Sequence, residues 1–281
     1  MRVDPSWNVE SKDGSQVAGY ELGGDGDVLL IAHATGLCGA MYQLLADELT
    51  DRFRVVAFDF RGHGDSHGSP DIDYGWDRMA EDVAAVTDHL GSGPIHGFGH
   101  SMGGAALLLA ERNAPSMFRS MFLFEPIVFP DSVSKEGQNV MGIAARRRRS
   151  EFDSRHEVLY RYASRPPFNR VHAGFLAAYV ENGFAEQPSG HVRLKCLPEV
   201  EAQIFENGRQ IELGAVQDLT TPIVVAVGHD EPGPNPSRLG PPLAEALVRG
   251  SLIRYDHIGH FGPLQDPWTI ARDIAHHVTA I

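Results

Sequence analysis

Short apolar runs alternate with amphipathic stretches over most of this chain. The first part departs from that pattern: Asn8–Ser11 and Gln16–Glu21 flank Asp13-Gly14, a turn dipeptide that predicts a β-hairpin. Beyond it, Val28–Ala32, Arg54–Phe58, Pro94–Gly99 and Ser120–Phe124 are apolar runs of the kind that strands buried on both faces of a parallel sheet require. Helical periodicity fills the intervals at about 41–49, 76–90 and 102–112, and Gly91 supplies a stop signal for the second. From Pro126 to about Asp218 the alternation ends, and the pattern predicts three or four helices without strands. One of them opens on a capping box, Ser154 to Glu157. The alternation returns with the strand Pro222–Val227, a helix near 242–249, the strand Leu252–Tyr255 and a terminal helix over about 267–278. These elements predict an α/β fold with a mostly parallel sheet flanked by helices. Its core is residues 1–125 and 219–281, and a helical cap, 126–218, is inserted between core strands.

Length and composition narrow the picture. At roughly 150 residues per domain, 281 residues could be one large α/β domain or two modest ones. A content of 42% hydrophobic residues is enough to bury a substantial core. With 24 basic against 37 acidic residues, the formal net charge of −13 opposes a sequence-independent grip on nucleic acid or an anionic membrane. A small-molecule partner is expected, and a homo-oligomer is left open. Cys38 and Cys196 lie too far apart in sequence to suggest a disulfide framework, and the first residues lack an apolar targeting segment; both point to a cytoplasmic protein.

The chemistry concentrates at Gly99-His100-Ser101-Met102-Gly103, a G-x-S-x-G pattern between a predicted strand and a predicted helix. That context implies a sharp turn presenting Ser101 at the C-terminal edge of the sheet, next to the positive end of a helix. A rival reading takes Gly97, Gly99 and Gly103, with Glu125 about twenty residues on, as a dinucleotide fingerprint. The match is imperfect and the site follows about three βα steps, whereas that fingerprint usually opens a domain. Fourteen histidines include the pairs His63/His67 and His96/His100, but neither pair is helical and no metal-binding motif stands out. No metal and no cofactor are expected.

The chain resembles the α/β-hydrolase-fold superfamily, in its capped branch of esterases, haloalkane dehalogenases, epoxide hydrolases and C–C hydrolases. The resemblance rests on the serine elbow, on Ala32-His33-Ala34-Thr35-Gly36, on Asp59-Phe60-Arg61-Gly62-His63-Gly64-Asp65-Ser66, and on Ile258-Gly259-His260-Phe261, in family order. A serine at the elbow, where dehalogenases and epoxide hydrolases carry aspartate, argues against those two activities. A serine hydroxyl needs an adjacent base near neutral pH, and His260 is the candidate. For the acid the resemblance implies the segment after Val227, where Asp230 comes one residue early and Glu231 has the usual spacing but the less usual side chain. Glu125, ending the strand after the nucleophile's, is an equal competitor with Asp230. The backbone N–H groups of Met102 and Thr35 are the expected oxyanion donors.

The cap would roof Ser101. Its aromatics Tyr160, Tyr162, Phe168, Phe175, Tyr179 and Phe184 could line a pocket or form the cap's own core, and Arg146 to Arg149 could pair with acids or clamp a substrate carboxylate. The expected function is a serine hydrolase of carboxylic esters, lactones or thioesters of small to medium apolar acids, acting through an acyl-enzyme. The alternatives are hydrolytic C–C cleavage of a diketone-type compound, or a non-catalytic ligand-binding protein on the same fold.

Overall fold

The computed structural model describes residues 2–68, 71–91, 93–131, 139–207, 211–230 and 235–279. The chain opens with β1 (Trp7–Glu10), β2 (Gln16–Gly23) and β3 (Asp27–Ala32), then α1 (Gln43–Asp47) and β4 (Phe53–Phe58). Next come α2 (Trp76–Leu90), β5 (Ile95–His100), α3 (Met102–Asn113) and β6 (Phe118–Phe124). The insertion holds α4 (Val140–Arg146), β7 (Glu151–Phe152), α5 (Arg155–Ala163), α6 (Ala173–Asn182), β8 (Phe184–Glu186), β9 (Val192–Leu194) and α7 (Pro198–Asn207). The chain ends with β10 (Ile223–Val227), α8 (Gly240–Ala246), β11 (Gly250–Arg254), α9 (Gly262–Gln265) and α10 (Pro267–Thr279).

The main sheet has the order β1-β2-β4-β3-β5-β6-β10-β11. The hairpin β1–β2 and the β2–β4 pair are antiparallel, and the other pairs are parallel. Its central strands are apolar on both faces because both are covered. In β3, Leu29 and Ile31 belong to one apolar layer while Val28, Leu30 and Ala32 belong to the other. The first layer includes Leu45 of α1 and Ile270, Ile274 and Val278 of α10; the second includes Met79, Val83 and Val86 of α2 and the apolar side of α3. Each fully buried side chain of this kind contributes roughly 1.5–3 kcal/mol. The second helix ends where Gly91 turns left-handed, φ 59°, and returns its N–H to Thr87 O.

The insertion between β6 and β10 differs from the pattern-based expectation. Its helices are joined by a three-stranded antiparallel sheet, β7-β9-β8, where no strands are predicted. Strands of two or three residues are too short to display an alternation: in β9 only Val192 and Leu194 are buried, with Arg193 exposed between them. The helix α5 is capped as expected, Ser154 Oγ accepting from Glu157 N–H, but the Glu157 carboxylate reaches one residue further back, to the Asp153 amide at 2.9 Å. No described helix is long and apolar enough to cross a membrane.

Candidate active site

The parallel register brings the chemistry to one edge. His100 and Phe124 are paired residues at the ends of β5 and β6, and the ladder runs one step further, Ser101 N–H donating to Phe124 O at 2.9 Å. Ser101 and Glu125 are therefore the first residues beyond two adjacent strands, whose spacing is about 4.8 Å. On the far side of β6, Glu125 N–H donates to Ala226 O of β10 at 2.8 Å. Both corner residues have backbone that side chains rarely adopt: Ser101 has φ 57°, ψ −118°, and Glu125 has φ 46°. Conformations of this kind cost on the order of 1–3 kcal/mol each, and packing over-determines them here. A Cβ at Gly99 would lie 2.5 Å from Gly104 Cα, and one at Gly103 would lie 2.1 Å from Ala32 O. The two glycines of the motif thus let the elbow press against α3 and the end of β3.

His260 lies on the loop between β11 and α9. That loop is held by His229 N–H donating to Ile258 O at 2.8 Å and Gly259 N–H donating to the Gln265 side chain at 2.9 Å. The His260 ring places Nδ1 2.6 Å from Glu125 Oε2, while Glu125 Oε1 accepts the Gly228 N–H at 2.8 Å. Glu125 is 1% exposed, and these two contacts occupy both its oxygens. An uncompensated carboxylate there would be costly. The Asp230 carboxylate does not join this group. It is exposed, accepts from Ser237 Oγ at 2.7 Å and pairs with Arg238 at 3.3 Å. Those contacts, Ser237 first, hold its carboxyl below the usual range. Glu231 lies outside the described residues.

The loop 33–36, which carries Thr35, is fixed from beneath by two buried histidines. Phe60 N–H donates to His33 Nε2 at 3.1 Å and His33 Nδ1 donates to Ala34 O at 2.8 Å; Gly36 N–H donates to His63 Nε2 at 3.0 Å and His63 Nδ1 faces Arg61 O at 3.2 Å. These partners require neutral rings, and burial pushes His33 down to about 4 and His63 to about 3. Thr35 stands between the pinned groups. Met102 is the first residue of α3, where the helix leaves its amide without an intrahelical acceptor. The segment 59–66 is structural: Asp59 accepts from Tyr20 Oη, Gly39 N–H and Asp65 N–H, and Arg61, fully buried, pairs with Asp82 and Asp13.

The insertion touches this loop directly. Tyr179 Oη donates to Gly36 O at 3.0 Å, and Arg148 donates to Tyr179 Oη at 3.0 Å and to Glu201. Burial alone would lower the Arg148 pKa, but Tyr179, Glu201 and Tyr162 outweigh it and keep the guanidinium charged. Arg146 pairs with Glu199 and Glu206, and Arg149 with Glu157. These three arginines have acidic partners within the insertion, so a substrate carboxylate would have to compete with them. Tyr160 is exposed, whereas Tyr162, Phe168, Tyr179 and Phe184 pack on one another and Phe168 reaches Phe261 beside His260. A cleft of about 340 Å³ lies elsewhere, between β8–β9 and the 62–68 segment, with Lys195 and Asp65 in its wall; Ser101, Glu125 and His260 do not line it. Among the described residues no group of three or more His, Cys, Asp or Glu could hold a metal ion.

Sequence reasoning missed the Gly228 amide, which a side-chain pattern cannot reveal. His33, His63 and His100 are buried, hydrogen-bonded histidines, and each holds a loop at this edge.

The chain is similar to a 2-(acetamidomethylene)succinate hydrolase of Mesorhizobium japonicum, 26% identical over 234 residues, which are 83% of this chain and 78% of that protein. A solved structure of an E-2-(acetamidomethylene)succinate hydrolase superposes with a TM-score of 0.80 at 20% identity, covering 97% of this chain and 98% of the other. The esterase RhEst1 from Rhodococcus sp. ECU1013 gives 0.75 at 19%, covering 98% of each. At such identities the two structures show the fold alone. Two further curated relatives match over shorter stretches that span only 32% and 41% of their length. The family model for the alpha/beta hydrolase fold matches residues 27–267, and this chain belongs to that family.

Proposed function

We propose that this protein is a serine hydrolase that cleaves a carboxylic ester, lactone or thioester through an acyl-enzyme. The observation that carries the reading is the 2.6 Å hydrogen bond from His260 to buried Glu125, one strand away from a serine on a strained elbow. Glu125 accepts a hydrogen bond from the Nδ1–H of His260, which leaves the Nε2 lone pair to act as base. As Ser101 Oγ attacks the substrate carbonyl carbon, its proton passes to Nε2, and the carbonyl electron pair moves onto oxygen. The N–H groups of Met102 and Thr35 receive that oxyanion, and each such donor is worth roughly 3–4 kcal/mol in the transition state. Collapse of the intermediate breaks the bond to the leaving group, which takes the proton back from Nε2. Water then repeats the sequence on the acyl-enzyme and releases the acid. Through the same hydrogen bond the Glu125 carboxylate stabilises the transient imidazolium.

The test is labelling by a fluorophosphonate, which reacts with activated serines, in the native protein and in Ser101→Ala. Turnover of p-nitrophenyl esters of increasing chain length goes alongside it, with an N-acyl enamide and a C–C-cleavable diketone as comparators. Labelling and ester turnover that vanish with the Ser101 hydroxyl support the proposal. A native protein that is neither labelled nor active would leave the non-catalytic reading standing, and turnover of the diketone or the enamide alone would reassign the bond.

A further inference from the structure

We infer that His100, the residue before the nucleophile, is a positioning residue that sets where the imidazole of His260 sits and ties that position to the oxyanion loop. The inference rests on the serine-hydrolase reading above.

His100 is the last residue of β5 and is fully buried. Its ring lies among Tyr42, Phe124, Phe261 and His260 itself. Nε2 is 2.8 Å from the main-chain oxygen of His260, and Nδ1 is 2.7 Å from Tyr42 Oη. A carbonyl oxygen can only accept, so Nε2 carries the proton and Nδ1 offers its lone pair to the Tyr42 hydroxyl. One neutral tautomer satisfies both contacts. Burial first, with the neighbouring His260 and His33, holds the ring well below the ordinary histidine range and so in that neutral form. Tyr42 closes the 3₁₀ turn Gly39–Tyr42, which follows directly on the loop carrying Thr35. A path therefore runs from that loop, through Tyr42 and His100, to the His260 main chain, with Ser101 next to His100 in the sequence.

A histidine satisfied in a core would ordinarily need no further account. Here the acceptor is the backbone of the proposed base. The other described bonds on that loop fall on its neighbours: Ile258 O is held by His229, Gly259 N by Gln265, and Gly259 O by Gly262 N. The Nδ1–Glu125 contact fixes one edge of the His260 ring, and the His100 contact fixes the main chain from which the ring hangs. Two anchors define the direction of Nε2, and one alone leaves the ring free to swing about the Glu125 oxygen. A displacement of about 1 Å in such a group can cost about 100-fold in rate.

The experiment compares His100→Leu, which fills the space without a donor, His100→Gln, whose side-chain amide can still donate to the His260 carbonyl, and Tyr42→Phe. Kinetics are measured on one p-nitrophenyl ester together with the rate of fluorophosphonate labelling, and each variant's thermal midpoint is recorded. His100→Leu should lower kcat about 100-fold with KM changed by less than about 3-fold, His100→Gln should recover at least about 10-fold of that loss, and Tyr42→Phe should lie between them. Labelling rates should fall in the same order. A His100→Leu variant with native kcat, or Gln and Leu variants equally impaired at native thermal midpoints, would overturn the inference while native labelling leaves the hydrolase reading intact. Absence of labelling in the native protein would remove both. If His100→Leu does not fold, the ranking of His100→Gln above Tyr42→Phe decides, and the reverse ranking overturns the inference.

Discussion

Neighbouring strands β6 and β10 are each followed by an acidic residue, and the two corners treat it in opposite ways. At the end of β6, Glu125 follows the last strand residue directly, on strained backbone, 1% exposed and with both oxygens occupied by Gly228 N–H and His260 Nδ1. At the end of β10, Asp230 is three residues out, exposed, and bonded to its own loop through Ser237 and Arg238. What β10 gives the site is main chain: the Gly228 amide on Glu125, and the His229 amide on the loop that carries His260. A carboxylate acts in a site like this when the fold removes its water and fixes its partner, and the identity of the strand it follows matters less.

The largest effect is expected of Glu125→Gln. The glutamine oxygen can keep the Gly228 contact, but its amide would present protons to His260 Nδ1. That favours the tautomer whose Nε2 is already protonated and cannot accept from Ser101. A loss of roughly 10³–10⁴-fold in kcat is expected, of the size found when a triad aspartate is made an amide. Steady-state kinetics on an ester substrate check it, and a variant within tenfold of native would return the role to another group.

Buried groups on this edge should also show in the pH dependence of stability. His33 and His63 accept backbone N–H bonds only when neutral, and their folded-state values are depressed to about 4 and about 3 from an ordinary 6.5. Between those limits the unfolded chain binds protons that the folded chain refuses, so stability is complete above about pH 6.5 and declines as pH falls toward 4. The effect is on the order of a few kcal/mol. Thermal midpoints measured from pH 7.5 to 4.5 should fall, and His63→Gln should reduce the slope. A slope unchanged in that variant would place the acid sensitivity elsewhere.

Gly228→Ala probes the main-chain contribution of β10. Its Cβ would stand 2.4 Å from Ile258 O and 2.9 Å from Gly259, both backbone atoms that cannot swing aside. The His260 loop must move, with an expected loss of about 10- to 100-fold in kcat/KM and roughly 1–3 kcal/mol of stability. Native kinetics in this variant would mean that the loop tolerates displacement.

The elements that position the site were legible because strand-helix alternation and apolar runs are written in side chains. The helix over 76–90 and the elbow at Ser101 are the clearest cases, since period, stop signal and motif agree there. The choice between Glu125 and Asp230 was not legible. Both follow a buried strand, and what separates them is register: the pairing of His100 with Phe124 and the 2.8 Å bond from Glu125 N–H to Ala226 O set Glu125 level with Ser101. The strands of the insertion were hidden by their length, and the pairing of Arg148 with Glu201, residues 53 apart, by their distance in sequence.

The smallest effect is expected at the β10 corner. Asp230→Asn keeps an oxygen that can accept from Ser237 and gives up the charge facing Arg238, a contact between two largely exposed side chains that adds little to stability. Nothing in that change reaches His260, whose Nδ1 is already engaged by Glu125. The variant should stay within about 3-fold of the native kcat/KM, which is the scale of a surface change remote from the reacting atoms. Run beside Glu125→Gln under identical conditions, it turns the contrast between the corners into a ratio of about 300 to 10⁴. A ratio near one, or a deficit larger in Asp230→Asn, would mean that the catalytically competent state takes its acid from β10. His260 would then have to leave the 2.6 Å contact described here, and the β6 corner would be a resting arrangement.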